Sequence, residues 1–228
     1  MIVLGIETAT VICSVGLAKD EQVIGEIRLA VKNIHAEVLT ESIRDLLGVL
    51  QISFSDLDGI AVSIGPGSFT GLRIGVATAK GLAFSLSKPI VGIDTLYAQA
   101  MAVQLIQKSE FIVPVIRSRQ NEVYAARYRV VGDELELAER AQVFAVNDFV
   151  AWLKTPAVLC GNGVTMATGV GLLEGKSDIK VIPESACALS GGKIAELGLK
   201  RLMRGEADDV ATLEPMYVQE FRIGSKAE

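Results

Sequence analysis

Few side chains in this sequence could carry chemistry, and their spacing narrows the choice. His35 is the only imidazole in 228 residues, so any Ser/His/Asp or Cys/His scheme must use it. It stands beside Glu37 at the start of an amphipathic run, where a helix-end hydrogen bond suits it at least as well as a base does. No nucleophile-elbow or oxyanion motif accompanies it. Cys13, Cys160 and Cys187 are far apart and form no C-x-x-C pair. With one histidine they cannot supply the clustered three or four ligands of a zinc site, and they read as small core residues of a reducing compartment. Neither H-E-x-x-H nor any other metal pair occurs. The residues assign no catalytic group and no metal site.

The most informative segment runs from Ile60 to Ala83, I-A-V-S-I-G-P-G-S-F-T-G-L-R-I-G-V-A-T-A-K-G-L-A. Gly65 and Gly67 bracket Pro66 in a tight turn, and Ser68 or Thr70 can cap the helix that follows. The N–H groups of its first turn could bind an anion or a phosphate; equally, the glycines could simply let turn and helix pack closely. The only charges of this helix, Arg73 and Lys80, are seven apart and share one stripe, while Gly71, Gly75 and Ala79 make a second stripe of small residues. Leu72, Ile74, Val76, Leu82 and Phe84 fill much of the rest. A helix with so little polar surface must bury more than one face, between its own sheet and a neighbour or against another protein chain.

The elements that must position these residues follow one order, written twice. Ile2 to Thr8, Val11 to Ala18 and Gln22 to Val31 read as successive antiparallel strands. Apolar residues then recur at helical spacing from His35 to Leu50, with Asn33 as a candidate cap. Gly59 to Ile64 is a buried strand, followed by the Gly-rich turn, a helix to about Ser87, a strand at Ile90 to Ile93, and a helix capped by Asp94 or Thr95 that runs to about Lys108. The second half repeats the pattern with strands at Phe111 to Arg117, Glu122 to Val131 and Leu135 to Val143. A short helix at Asn147 to Lys154, a strand at Ala157 to Cys160, a helix after Gly163, a strand at Lys180 to Ile182 and a helix from about Ala186 to Met203 complete it. Two βββαβαβα units imply two α/β lobes, each a mixed sheet with helices, at 1–108 and 109–228, with the C-terminal tail free to pack back on the first. This layout resembles the actin/Hsp70-like, ribonuclease H-like superfamily, in which a fold does not by itself grant an activity.

Composition bounds the function. Half of the residues are hydrophobic and 21% are charged, and 22 basic against 27 acidic residues leave a net charge of −5. That is the opposite of the footprint of a protein that grips nucleic acid with its whole surface. The start of the chain lacks the basic n-region of a signal peptide. The nineteen uncharged residues between Lys154 and Glu174 are broken by Pro156, Asn162 and four glycines, which does not suit a membrane span. The expected location is the cytoplasm.

The stretch G-P-G-S-F-T-G-L-R-I-G-V-A-T-A-K-G-L-A resembles the signature of the TsaB (YeaZ) family of tRNA threonylcarbamoyladenosine biosynthesis. G-I-E-T-A-T at Gly5 to Thr10, the H-x-E of His35 and Glu37, E-V-Y at Glu122 to Tyr124, G-N-G at Gly161 to Gly163 and P-M-Y at Pro215 to Tyr217 agree with it, in order along nearly the whole chain. That family is similar to its own partner, the TsaD transferase, which holds a metal through an H-x-x-x-H pair and a distant aspartate. The matching segment here, I-V-G-I-D-T-L-Y-A-Q-A after Pro89, has no histidine, and Asp94 alone cannot replace a multidentate site.

The resemblance therefore implies a pseudoenzyme that binds and stabilises the TsaD transferase, with the TsaE ATPase joining the larger complex, a homodimer in isolation, and tRNA touched only indirectly or weakly. It implies no cofactor for the chain itself, ATP or ADP entering only with the assembled complex. It places the partner interface on the first two helices of the N-terminal lobe: Val38, Leu39, Ile43, Gly71, Leu72, Arg73, Gly75, Val76 and Lys80. A vestigial nucleotide or anion site would comprise Glu7, Thr8, Gly65, Gly67, Ser68, Thr70, Gly161 and Gly163. The rival reading is a stand-alone ATP-dependent enzyme, an ATPase or small-molecule kinase, using that same site. One departure stands out: where the family commonly has D-A-R, this chain has Arg117, Ser118 and Arg119. With Arg127 and Arg129 these make four arginines against Glu122 over thirteen residues. They form either a solvated strand face or a patch for tRNA phosphates or an acidic partner.

Overall fold

The computed structural model describes residues 1–30, 35–104, 106, 109–169, 171, 173, 175 and 177–218. The expected ends at Val31 and Lys108 and the expected cap Asn33 lie outside them. Strands β1 (Ile2–Glu7), β2 (Cys13–Lys19), β3 (Gln22–Leu29), β4 (Gly59–Gly65) and β5 (Ile90–Asp94) form one sheet in the order β3-β2-β1-β4-β5. The first three are antiparallel, and β4 and β5 run parallel to β1. The second sheet repeats the plan with β6 (Phe111–Arg117), β7 (Glu122–Val131), β8 (Glu134–Ala145), β9 (Ala157–Cys160) and β10 (Ile179–Val181), in the order β10-β9-β6-β7-β8.

Helices α1 (His35–Val49) and α2 (Phe69–Leu86) cover the outer face of the first sheet. Strand alternation supplies that face: Leu4 and Ile6 of β1 and Val15 and Leu17 of β2 meet Leu39, Ile43, Leu46, Val76 and Ala79 of the helices. On the outer face of the second sheet, Val113 and Val115 meet Phe149 of α4 (Val146–Trp152) and Val164 of α5 (Val164–Thr168).

Between the sheets the chain order is crossed. Helix α3 (Thr95–Gln104), which ends the first unit, packs on β6, β7 and β9 as well as on β4 and β5. Helix α7 (Gly191–Met203), which ends the second unit, lies across β1, β2, β3 and β4. One continuous core results, running from Val3, Ala18 and Ala61 through Leu96, Ala100, Ile194 and Leu197 to Ile112, Ile116 and Ala126. Across the expected division at residue 108 the two sheets share this core. Each sheet is covered on its inner face by a helix from the other half.

The last helix is broken, with α6 (Glu184–Cys187) preceding α7, where a single run from Ala186 was expected. Close approach explains the position of α7. A methyl group on Gly5 would strike the Gly191 carbonyl, and one on Gly16 would strike the Gly192 backbone. Its N-terminus is held by Glu26 of β3, whose Oε2 accepts from the Gly192 N–H at 3.1 Å and from the Ser190 hydroxyl at 2.7 Å. A carboxylate there also complements the helix dipole.

The segment after α7 returns to the first sheet. Asp208 N donates to the Ile90 carbonyl at 2.9 Å, and Gly92 N donates to Asp208 Oδ2 at 2.7 Å, so the free edge of β5 is capped. Met216 N then donates to the Ile64 carbonyl at 2.7 Å, beside the Gly-rich turn. Among the described residues no helix is long and apolar enough to cross a membrane.

Candidate functional site

A cleft of about 1040 Å³ opens between the two halves. One wall comes from the β1–β2 turn, the start of α1, the Gly-rich turn and the first turn of α2; the other comes from the β6–β7 turn and the turn after β9. Tyr217 and Val218 of the C-terminal segment line it as well.

The Gly-rich turn is built as its residues dictate. Gly65 has φ +119°, which favours glycine, and its N–H donates to Thr95 Oγ1 at 3.0 Å. Ser68 caps α2, its Oγ accepting from Gly71 N at 3.2 Å, while the Ser68 N–H donates to the Ala9 carbonyl at 2.7 Å. On the opposite wall, Asn162 Oδ1 accepts from the Arg117 N–H at 2.9 Å, and Gly163 N donates to the Val115 carbonyl at 3.0 Å. The G-N-G turn thus ties β9 to the end of β6, and the close contact of Gly163 with Val115 and Ile116 leaves no room for a side chain there.

Of the expected vestigial nucleotide site, Gly67, Ser68 and Thr70 line the cleft. Glu7, Thr8, Gly65, Gly161 and Gly163 do not. Glu7 and Thr8 are fully buried beneath it. Glu7 Oε1 accepts from Ala9 N at 2.6 Å, and its Oε2 has no partner among the described residues. Burial pushes its pKa up to about 7, against the lowering effects of the Ala9 N–H and the Ser63 hydroxyl. No carboxylate is found among the described residues that line the cleft. A magnesium-bound nucleoside triphosphate is therefore poorly served here: Glu7, the acid at the end of β1, does not reach the cavity.

The small-residue stripe of α2 also turns inward. A methyl group on Gly71 would strike the Thr8 carbonyl, and one on Gly75 would strike Thr8 Oγ1. Most residues of the expected partner interface are covered by the chain itself. Leu39, Ile43, Gly71, Leu72, Gly75 and Val76 are buried within the lobe, because the first sheet needs that apolar face to cover it. The two charges are occupied as well. Arg73 Nε donates to the Tyr217 hydroxyl at 3.0 Å, and its guanidinium lies 3.8 Å above the Phe69 ring. Lys80 Nζ donates to the carbonyls of Ala211 at 3.1 Å and Leu213 at 3.0 Å. The neighbour that shares α2 with the sheet is the chain's own C-terminal segment. Only Val38, Arg73 and Lys80 of the nine are more than marginally exposed, and the outward face of α2 consists instead of Arg73, Ala77, Gly81 and Phe84, the last 79% exposed.

His35 is buried in the cleft wall, with its Nε2 3.2 Å from the Ile12 carbonyl. A carbonyl can only accept, so this nitrogen carries the proton and serves as the helix-end donor. The three cysteines are buried, and burial raises the thiol pKa of each, which leaves them inert.

The four arginines separate into two pairs. Arg127 and Arg129 stand at the far end of the β6–β7 hairpin beside Phe111, whereas Arg117 and Arg119 stand at its turn and line the cleft. Sequence proximity alone had grouped them. The register, with Arg117 opposite Val123 and Phe111 opposite Arg129, sets the pairs roughly 20 Å apart at about 3.4 Å per residue. Tyr124, Asn162 and Tyr217 are further cleft residues that no catalytic spacing marked out, although each lies in one of the short motifs quoted above.

The family model described as TsaD, tRNA N6-adenosine threonylcarbamoyltransferase, matches residues 27–169. The tRNA threonylcarbamoyladenosine biosynthesis protein TsaB of Escherichia coli (strain K12) is 28% identical over 222 residues, covering 96% of this chain and 95% of that one. The protein of the same description from Bacillus subtilis (strain 168) is 30% identical over 169 residues, 73% of each chain. A solved Pseudomonas aeruginosa structure, described as an uncharacterized protein with similarity to peptidase YeaZ, matches with a TM-score of 0.80 at 25% identity and covers 96% of this chain and 99% of that one. The ROK hexokinase of Thermus thermophilus shares the fold alone, with a TM-score of 0.52 at 12% identity, over 90% of this chain and all of that one. These are two mixed sheets of the actin/Hsp70-like ATPase type, and by its match to the family model and to relatives along most of its length the chain belongs to the TsaB family.

Proposed function

We propose that this chain is a non-catalytic subunit of the cytoplasmic machinery that makes threonylcarbamoyladenosine in tRNA, where it binds and stabilises a TsaD-type transferase. The observation that carries this reading is the pairing of TsaB-family membership over most of the chain with a single histidine in the whole sequence. A relative of a two-histidine metalloenzyme that has one histidine, itself bonded to a backbone carbonyl, keeps the fold without the ligand pair. The buried position of Glu7 supports the same reading, since it withholds from the cleft the acid that a metal-bound nucleotide would need. ATP or ADP belongs, in this reading, to the assembled complex, with the TsaE ATPase as a further member.

The helical contact is proposed on the outward strip of α2. Arg73, Ala77, Gly81 and Phe84 are spaced so that small residues flank one exposed ring. A side chain at Gly81 would meet nothing within the chain, so another helix can approach closely there. In isolation the same strip would pair two copies, making homodimer and heterodimer mutually exclusive.

The test is reconstitution of tRNA modification from otherwise complete components. Without this chain, product falls to background; with a Phe84→Glu variant, co-purification with the transferase and product formation are lost while the isolated variant stays folded. Full modification in the absence of the chain, or multiple ATP turnovers by the chain alone, would overturn the reading.

A further inference from the structure

The β6–β7 turn presents two guanidiniums that no other described residue engages. Arg117 and Arg119 are exposed and line the inter-lobe cleft, and neither has a side-chain hydrogen bond, ion pair or ring contact among the described residues. The backbone of this turn is held: Asn162 Oδ1 accepts from the Arg117 N–H, the Arg119 carbonyl accepts from Glu122 N at 3.2 Å, and the Ser118 N–H donates to the Glu122 carbonyl at 2.9 Å. The backbone is held while the charged ends are left free. Ser118 also turns a buried hydroxyl without a partner into this region. The described lining of the cleft contains no carboxylate to neutralise the two charges, and Glu122, the nearest acid along the chain, does not reach it. In a chain of net charge −5, this is a local concentration of positive charge at the mouth of a cleft.

The opposite wall shows what kind of anion fits. Tyr217 is 45% exposed, and its ring packs against Phe69 with centroids 5.2 Å apart and the planes tilted by 37°. Arg73 lies over Phe69 and bonds the Tyr217 hydroxyl, so these rings form a fixed platform. Tyr124 adds a half-buried ring on the far side. Guanidiniums facing an aromatic platform across a groove are the two components of single-strand recognition, one for phosphates and one for base faces. The volume, about 1040 Å³, is at the upper limit of small-molecule pockets, which suits a strand that passes through better than an enclosed metabolite.

We infer that the inter-lobe cleft binds a single-stranded RNA segment, with Arg117 and Arg119 on its phosphates and Tyr217 under a base. The inference rests on the proposed function, in which tRNA is the substrate of the assembly, and it gives this chain a direct role in holding that substrate. Two contacts make the binding weak and salt-dependent. With a slope of about 0.7 per phosphate contact for single strands, affinity should fall roughly sevenfold between about 50 and about 200 mM salt.

The experiment uses the full chain and a fluorescently labelled, mixed-sequence oligoribonucleotide followed by anisotropy. Arg117→Glu/Arg119→Glu should weaken binding by at least about tenfold, and the neutral pair Arg117→Gln/Arg119→Gln by a smaller factor. Arg44→Glu/Arg140→Glu makes the same change in net charge away from the cleft and should leave binding within about twofold. No RNA binding by the wild-type chain, or equal losses in the cleft and control variants, overturns the inference. So does displacement of the RNA at lower concentration by ATP or by a poly-aspartate peptide, which would assign the cleft to that ligand. In the reconstituted reaction, Arg117→Glu/Arg119→Glu should raise the tRNA concentration needed for half-maximal rate while the transferase still co-purifies. If the chain is required but this variant behaves as wild type at limiting tRNA, the inference fails and the partner role stands; if the chain is dispensable, the partner role itself fails.

Discussion

Two arginine pairs on one hairpin have opposite fates. Arg127 is 6% exposed; its Nη1 lies 3.8 Å from Glu139 Oε1, and its guanidinium stacks 3.9 Å above Phe111. Arg129 pairs with Glu110 at 3.3 Å on the same ring. Glu139 is itself held by Lys154 at 2.8 Å and by Trp152 Nε1 at 2.9 Å, and the Lys154 bond, ahead of Trp152 and Arg127, keeps its carboxyl below the ordinary range. Arg117 and Arg119 have no such neighbours among the described residues. The difference teaches that charge density along a sequence says little until the strand register decides which charges meet acids. Where a partner is built in, arginine is part of the scaffold; where the backbone is braced and the charged end left free, it is available to a ligand.

The comparison can be tested through stability, beginning with the largest effect. Glu7 is a third case, a buried carboxyl with no cation beside it among the described residues. Its pKa of about 7 in the fold, against an ordinary 4.5, means the folded state keeps a proton that the unfolded state has lost. Stability should therefore fall as pH rises from about 4.5 to about 7 and stay low above that. Glu7→Gln should remove that slope and gain about 3 kcal/mol at pH 8 in urea denaturation; a variant as pH-sensitive as wild type would show that Glu7 is charged in the fold after all. Arg127→Ala should cost about 2 kcal/mol at neutral pH, less than for an isolated buried pair because Lys154 and Trp152 still serve Glu139. Arg127→Met, which keeps the packing on Phe111, should cost about half as much. Arg129→Ala, at an exposed pair, should cost about 0.5 kcal/mol and lose even that at high salt. Arg117→Ala/Arg119→Ala should leave the denaturation midpoint unchanged within about 0.5 kcal/mol. A large loss there would mean that the turn arginines are scaffold as well.

The repeated βββαβαβα order was legible because each element carries its own local signal: short β-rich apolar runs in β1 and β2, alternation in β3, and three-and-four spacing in α1. Ser68 as the cap of α2 was legible for the same local reason. On α2 the sequence left two outcomes open, burial against a neighbouring part of the chain or contact with another protein, and the apolar residues of the helix are buried within the chain. The missing information was that residues 208–217, more than a hundred positions away, lie along the helix and take up Arg73 and Lys80. Of the eight residues expected at a vestigial nucleotide or anion site, Gly67, Ser68 and Thr70 line the cleft. The glycine turn stands where expected, yet only the fold reveals that Glu7 points away from the cleft into a buried hydrogen bond.

The sequence by itself determined the α/β class, the two matched units, the family and the lack of a histidine pair, because these depend on residue identity and local periodicity. Tertiary structure alone decided that α3 and α7 exchange sheets, that the small-residue stripe serves Thr8, and that one arginine pair is neutralised while the other stands at the mouth of a cleft. Such outcomes depend on which distant backbones can approach within van der Waals contact and which charges then share a desolvated space, and no local window of the chain contains both partners.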